Sequence, residues 1–150
     1  MARSVSASAL VLSMILSLGA PRAGMADTIA KPPPSFENPR KLVIQLNSPD
    51  ENHQQTVLNN ISNLLKFYEN NVTIAVVVYG PAIGMLMKGS PFAERIESLT
   101  MYGVEFVACG NTLIATHRKR ENLLPNVGYA TAGLAEIAER QLEGWIYLKP

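Results

Sequence analysis

The sequence is poor in cysteine: its 150 residues contain one, Cys109. A single cysteine cannot form a disulfide within the chain, and it cannot build a cysteine-rich zinc site. In an exported protein, a lone cysteine is buried and inert, paired between chains, or a working thiol. The functional question therefore turns on the state of this one side chain.

The chain also lacks an excess of charge of either sign. It has 13 lysines and arginines against 12 acidic residues, and two of the basic ones, Arg3 and Arg22, lie in an N-terminal leader. A near-neutral domain gives no electrostatic basis for binding nucleic acid or an anionic membrane surface, so we expect neither partner. The hydrophobic content of 47% and the length indicate one globular domain with a sizeable core.

Residues 1–26 have the features of a secretory signal peptide. Arg3 gives a positive start, 7–18 form a short apolar run, and 24–26 end in small residues at the cleavage positions. The apolar run is too short to span a bilayer, which takes about 20 residues. We therefore expect a periplasmic or secreted protein with no membrane contact after cleavage. The alternatives are an uncleaved anchor, or a cytoplasmic protein that begins at Met25.

A proline-rich stretch separates the leader from the domain. Residues 27–39 contain three consecutive prolines at 32–34, which favour an extended, polyproline-like linker without a core of its own. The domain is predicted to cover 40–150.

Strand-like and helix-like apolar patterns alternate along the domain. They predict strands over 41–46, 72–79, 104–108, part of 123–130, and 145–148. They predict helical segments over 49–68, 85–87, 91–102, 111–117 and 131–143. Strict alternation indicates right-handed crossovers, a mainly parallel sheet of about five strands and helices on both faces. We therefore predict a three-layer α/β/α fold.

Two finer expectations concern the first and last helices. Ser48 and Glu51 match a capping box, so Ser48 is predicted to cap the first helix. The last helix is predicted to present one apolar face to the core. The residues on that face are Leu134, Ala135, Ile137, Ala138 and Leu142.

Cys109 follows the third predicted strand, where chemistry is expected. Ligands of open parallel sheets bind beyond the C-terminal ends of the strands. The next helix begins here, and its free N–H groups and partial positive charge favour a thiolate. Cys109 is the candidate catalytic residue, although a buried, inert cysteine is equally compatible with this position. The expected binding residues around it are Gly110, Asn111, Thr112, Asn47 and Gly80.

No second catalytic group accompanies Cys109 in the sequence. His117 is two turns along the same predicted helix, roughly 12 Å away, and His53 is predicted on the surface of the first helix. The segment 80–84 lacks the Lys-Ser/Thr ending of a P-loop and the spacing of a dinucleotide fingerprint. We expect no cofactor and no metal, and a thiol that carries or exchanges a group rather than a hydrolase.

Several segments resemble the DsrE/DsrF-like family, and more closely a small, exported, mostly uncharacterised branch of it. The resemblance covers 40–150, and its most specific part is the Cys-Gly-Asn-Thr-Leu segment at 109–113 together with the tail at 143–150. The other segments that carry it are 41–46, the Asn-rich first helix, 79–81, 103–108 and 123–125.

This resemblance implies an α/β/α domain that assembles into trimers or hexamers. In the sulfur-relay members, a cysteine after a central strand carries sulfur as a persulfide between partner proteins, and Cys109 matches that position. Relay members are cytoplasmic, whereas this chain is predicted to be exported.

Two functional hypotheses follow. In the first, the protein is a sulfur carrier or sulfurtransferase-like protein that holds a persulfide on Cys109 and exchanges it with a donor and an acceptor protein. In the second, it is a non-catalytic oligomeric module that binds a small ligand or a protein, and Cys109 is a packing residue. The exposure and reactivity of the Cys109 sulfur distinguish them.

Overall fold

Five parallel strands form the sheet of the computed structural model, which describes residues 29–150. The predicted signal peptide lies outside the described residues. The strands are β1 (Arg40–Leu46), β2 (Val72–Val78), β3 (Glu105–Cys109), β4 (Gly128–Ala130) and β5 (Ile146–Leu148). Their order in the sheet is β4-β3-β2-β1-β5, and every pair is parallel. The predicted α/β fold with about five parallel strands is confirmed.

The connections place the helices unequally on the two faces. The four α-helices of residues 29–150 are α1 (Glu51–Phe67), α2 (Ala93–Met101), α3 (Gly110–Ala115) and α4 (Gly133–Leu142), and a 3₁₀ helix spans Gly80–Leu86. The first three connections each lead to the neighbouring strand, in the same direction across the sheet from β1 to β4. The last connection crosses back over the sheet, from β4 at one edge to β5 at the other, next to β1. Because crossovers are right-handed, α4 is the one helix in the described part of the chain that lies on the second face.

The two buried clusters reflect this asymmetry. The larger one joins α1, the 3₁₀ helix, α2 and α3 to one face of the strands, with Phe106 fully buried at its centre. Among the described residues, the buried members of the smaller one are Val43, Val77, Val107 and Ile137, with α4 supplying Ile137, and Tyr79, Ala130 and Trp145 pack against them. The second face of the sheet is therefore a narrow apolar strip beneath one helix.

The predicted inner face of α4 is wrong except at Ile137. Leu134 and Leu142 are 62% and 82% exposed, and Ala135 and Ala138 are also exposed. The narrow strip accommodates one large side chain of α4, so most of the apolar face of this helix does not contact the sheet.

The C-terminal half of α4 is held by polar contacts instead. Arg140 donates to Glu105 and Glu136, each over 2.7 Å, and its guanidinium lies 4.5 Å from the centre of the Trp145 ring. Glu105 begins β3 and Cys109 ends it, so α4 runs from the thiol end of β3 to its opposite end.

The cap of α1 is Asp50 and not Ser48. The Asp50 carboxylate accepts from the N–H groups of Asn52 and His53, and Ser48 accepts instead from the Asp50 N–H. Both residue types cap helices, and α1 begins two residues later than the sequence pattern predicts.

The segment before β1 contributes no buried side chain between residues 32 and 39. It contains a turn in which Ser35 and Asn38 exchange two backbone hydrogen bonds, and Arg40 donates to the Pro32 carbonyl over 3.0 Å. Within residues 29–150, every helix is too short or too polar to cross a bilayer.

Candidate functional site

Cys109 is both the last residue of β3 and the N-cap of α3. Its side chain is buried, with 5% of the residue exposed. Side chains alternate along a strand, so Cys109 points to the same face as Val107, which is the face that α4 covers. The thiol therefore lies where the C-terminal edge of the sheet, α3 and the start of α4 meet.

Gly133 brings the N-terminus of α4 against the sulfur. Its N–H donates to Cys109 Sγ over 3.2 Å. A Cβ added at Gly133 would lie 3.1 Å from Cys109 Cβ and 3.3 Å from Val77 Cγ1. The close approach therefore suits a residue without a side chain. Gly133 is the first residue of α4, so its N–H has no partner within the helix and is available to the thiol.

Thr112 connects the thiol to the end of β2. The Gly80 N–H donates to Thr112 Oγ1 over 2.9 Å, and the Thr112 hydroxyl also interacts with the Cys109 sulfur. Because Gly80 occupies a lone pair of this oxygen, the hydroxyl proton is available to the sulfur. The structure thus brings Gly80 and Thr112 together with Cys109, as the strand-end argument expects.

The hydrogen-bond donors around Cys109 outweigh its burial. Burial raises the pKa of the Cys109 thiol, but the Thr112 hydroxyl, the Gly133 N–H and the N–H groups of Thr112 and Asn111 together lower that pKa below its ordinary value. The last two N–H groups approach the sulfur without completing a capping hydrogen bond. A cysteine enclosed only by apolar groups has a raised pKa, so this site differs from simple core packing.

The other predicted binding residues have different positions. The Asn111 N–H donates to the Thr131 carbonyl over 3.0 Å and so joins the start of α3 to the loop before α4. Gly110 lies under Tyr129, whose hydroxyl would be 2.3 Å from an added Cβ. Asn47 is exposed after β1, which β2 separates from β3. Among the described residues, the hydrogen bonds around the thiol do not include Asn47.

Neither histidine joins the thiol. His53 lies in the first turn of α1, while His117 is exposed beyond the end of α3 in a left-handed conformation. The described part of the chain contains no group of three histidine, cysteine or acidic side chains that could hold a metal ion.

A groove of about 500 Å³ lies beside the site, between the 3₁₀ helix and α3. Thr112 lines this groove and also interacts with the sulfur, and Arg118 lines it from beyond the end of α3. Thr112 therefore belongs both to this groove and to the thiol site, as does Asn111.

Sequence reasoning missed two parts of this site. Gly133 was predicted only as part of a helix, although a glycine in a first turn signals either a weak helix or a close backbone approach. Tyr79 is predicted only as a strand end, although it lies level with Cys109, one residue beyond the pair of Val78 and Ala108. Each of these signals points to the thiol site only when the order of the strands in the sheet is known.

We predict that Thr112→Val slows alkylation of Cys109 near neutral pH by about three- to tenfold, because the thiolate loses a hydrogen bond to a charged group. The measurement is the rate of labelling by iodoacetamide as a function of pH. Thr116→Val is the matched control, since its hydroxyl donates to the Thr112 carbonyl on the same helix. Equal rates in the wild type and Thr112→Val would contradict the role of this hydroxyl.

We predict that Gly133→Ala also raises the pKa of Cys109. The added methyl group pushes the start of α4 away from Cys109 and Val77 by a few tenths of an ångström, which lengthens the hydrogen bond to Sγ. Alkylation near neutral pH should slow about threefold, with a loss of about 1 kcal/mol in the free energy of unfolding. The control Ala135→Gly removes a methyl group from the exposed side of α4 and should leave the thiol pKa unchanged. A Gly133→Ala thiol that titrates like the wild type would contradict the assignment.

The parallel sheet, with one thiol at its C-terminal edge between two helix N-termini, defines the class as an α/β protein with a hydrogen-bonded cysteine site. The model of the DsrE/DsrF-like family matches residues 40–150, and the chain belongs to this family. The family is linked to sulfur metabolism. No curated protein matches the chain significantly.

Three solved structures are similar to the chain. The protein of unknown function MTH1491 from Methanobacterium thermoautotrophicum is 33% identical, with a TM-score of 0.72, over 74% of this chain and 99% of that one. The ychN protein from E. coli is 16% identical, with a TM-score of 0.63, over 75% and 99%. BT1422 from Bacteroides thetaiotaomicron, of unknown function, is 14% identical, with a TM-score of 0.56, over 73% and 94%. The last two show the fold alone.

Proposed function

We propose that the protein is a sulfur carrier that holds sulfur as a persulfide on Cys109. The observation that carries this proposal is the pair of donors on the sulfur, the Gly133 N–H at 3.2 Å and the Thr112 hydroxyl. Together with the neighbouring N–H groups, they lower the pKa of the thiol in spite of its burial. These groups favour the anion that attacks sulfane sulfur. Membership of a family linked to sulfur metabolism supports the same chemistry.

The transfer is balanced without an oxidant. The Cys109 thiolate attacks the outer sulfur of a donor persulfide, a new S–S bond forms, and the donor's own S–S bond breaks. The electron pair leaves with the donor thiolate, which takes the proton released when the Cys109 persulfide ionises. An acceptor thiolate later attacks the outer sulfur and returns Cys109 as a thiolate. The proposed partners are thus a persulfide-bearing donor and a thiol-bearing acceptor protein.

The experiment is incubation of the full chain with a small persulfide or polysulfide, followed by intact mass measurement. We expect a gain of one sulfur atom per chain that a thiol reductant removes. A chain whose mass stays unchanged after exposure to both kinds of donor would contradict the proposal.

Burial of Cys109 favours a second candidate function. With 5% of the residue exposed, Cys109 can equally be a packing residue in an oligomeric module that binds a small ligand or a protein at the strand ends. In that case the folded protein resists thiol reagents and labelling requires unfolding. Rapid labelling of the folded chain would rule this candidate out.

We also propose that the protein is a homo-oligomer, a trimer or a hexamer, in which another copy covers α4. Leu134, Ala138 and Leu142 are four residues apart, so they share one side of the helix, and all three are exposed. A contiguous exposed apolar surface of this kind is typical of an interface. Export to the periplasm or beyond is a further proposal that rests on the sequence of residues 1–26.

A further inference from the structure

Polar side chains form a row across the second face of the sheet, beginning beside Cys109. Val78 pairs with Ala108, so the residues that follow, Tyr79 and Cys109, end neighbouring strands side by side. Tyr79 has extended backbone angles, and its N–H donates to the Leu46 carbonyl over 3.2 Å, which continues the ladder between β1 and β2. Tyr79 and Cys109 therefore project from the same face.

The row continues across β1 to β5. The Gln45 side-chain amide donates to Tyr79 Oη over 2.5 Å, and the Tyr147 hydroxyl donates to Gln45 Oε1. Tyr147 pairs with Val43, whose side chain belongs to the small cluster under α4, so all of these residues share the α4 face. The proposed sulfur chemistry uses none of Tyr79, Gln45 and Tyr147.

The hydrogen bonds of Gln45 direct the Tyr79 proton in this arrangement. Gln45 presents its amide NH2 group to Tyr79 Oη and its amide oxygen to the Tyr147 hydroxyl, so Tyr79 Oη accepts from Nε2 and does not donate to it. The Tyr79 O–H is thus left to donate away from Gln45, and Cys109 lies on the neighbouring strand on the side opposite β1.

We propose that Tyr79 is the hydrogen-bond donor for the outer sulfur of the Cys109 persulfide, and that Gln45 is the positioning residue that directs it. This inference rests on the proposed sulfur-carrier function. A tyrosine hydroxyl extends further from the sheet than a cysteine sulfur, while the outer sulfur of a persulfide lies about 2 Å beyond Sγ. In this proposal Tyr79 serves the added atom, whereas Gly133 and Thr112 serve Sγ itself.

Tyr79 keeps its proton beside an anionic sulfur. Burial raises the pKa of Tyr79, the neighbouring Tyr147 raises it further, the hydrogen bond from Gln45 opposes the increase, and the Cys109 thiolate adds to it. A neutral phenol next to a sulfur anion is a hydrogen-bond donor and not a competing charge.

The test compares persulfide lifetimes on the full chain. After loading with a small persulfide, the bound sulfur is followed by its loss to cyanide, which accepts sulfane sulfur. We expect Tyr79→Phe to lose sulfur about tenfold faster than the wild type, as for a lost hydrogen bond to an anion. The unloaded thiol should be alkylated at nearly the same rate in both. Tyr129→Phe is the matched control, since this phenol lies against Gly110 on another side of the site, and its persulfide should last as long as the wild type's.

A second variant tests the direction of the proton. Gln45→Leu keeps the phenol but releases its orientation, so we expect a smaller acceleration, about threefold. In the double variant with Tyr79→Phe, Gln45→Leu should add nothing, because both changes act on one hydrogen bond. Additive effects would overturn the positioning role.

The outcomes distinguish a failure of the proposed Tyr79 hydrogen bond from a failure of the proposed sulfur-carrier function. If the wild type gains no sulfur, the proposed function fails and the inference fails with it. If the wild type gains sulfur but Tyr79→Phe retains it for as long as the wild type, the inference alone fails.

Discussion

Cys109→Ser should gain no sulfur from a small persulfide or polysulfide, while the wild type gains one atom per chain. Cys109 is the only cysteine of the chain, and a hydroxyl at neutral pH does not attack sulfane sulfur because the thiolate is the nucleophile. The expected loss is complete and not partial, since no other thiol can substitute.

The serine variant should remain folded, so its loss of sulfur uptake reflects the missing thiol and not unfolding. Serine is slightly smaller than cysteine and can accept the same Gly133 N–H, so the change in the free energy of unfolding should stay within about 1 kcal/mol. Thr112→Ser is a matched control that preserves the hydroxyl, and it should load sulfur like the wild type. Equal mass gain in the wild type and Cys109→Ser would show non-covalent sulfur and would contradict a persulfide on Cys109.

Leu142→Glu should convert the proposed oligomer to monomers. Leu142 is 82% exposed at the end of α4 and Leu134 is 62% exposed two turns earlier, so a partner copy that covers them would bury both. A carboxylate at this position would have to lose its hydration in the interface. We expect the association constant to fall by about a hundredfold or more.

The measurement for Leu142→Glu is molar mass by light scattering over a range of concentrations. Met101→Glu is the matched control, because Met101 is an exposed apolar residue, at 78%, on α2 on the opposite face of the sheet. The wild type and Met101→Glu should have the same oligomeric mass. A monomeric wild type, or a Leu142→Glu variant that retains the wild-type mass, would contradict an interface on α4.

The parallel sheet was accessible from sequence because alternation of strands and helices allows few topologies. β2 is nearly continuous in apolar residues, which indicates burial on both faces, and the structure places it at the centre of the sheet with a fully buried Val76. The position of β5 beside β1 was not accessible, because a strand of three residues offers no pairing signal. That position is the reason why α4 has no neighbouring helix on its face within residues 29–150.

The wrong prediction for the inner face of α4 also arises because the sequence does not show what this helix packs against. Periodicity identifies an apolar helix face but not the surface that covers it, so Leu134 and Leu142 were assigned to the core of a single chain. The thiol site was predicted in part for a similar reason. Thr112 and Gly80 follow from strand ends meeting at one edge. The contact from Gly133 does not, because a glycine in a first turn is compatible with a weak helix as well as with a close backbone approach.

The lowered pKa of Cys109 also makes stability depend on pH. The folded chain loses the thiol proton at a lower pH than the unfolded chain, so between the two pKa values the folded state binds fewer protons. Stability from this group therefore rises with pH through that window and is lost as pH falls through the folded pKa. Cys109→Ser should lack this dependence.

The pH dependence of Cys109 alkylation in the folded protein distinguishes a thiolate site from an inert packing residue. We expect a single titration whose midpoint lies below that of the same cysteine in the denatured chain, with labelling that proceeds without unfolding. A midpoint above that of the denatured chain, or labelling only at the rate of unfolding, would show an inert packing residue and would contradict a thiolate site.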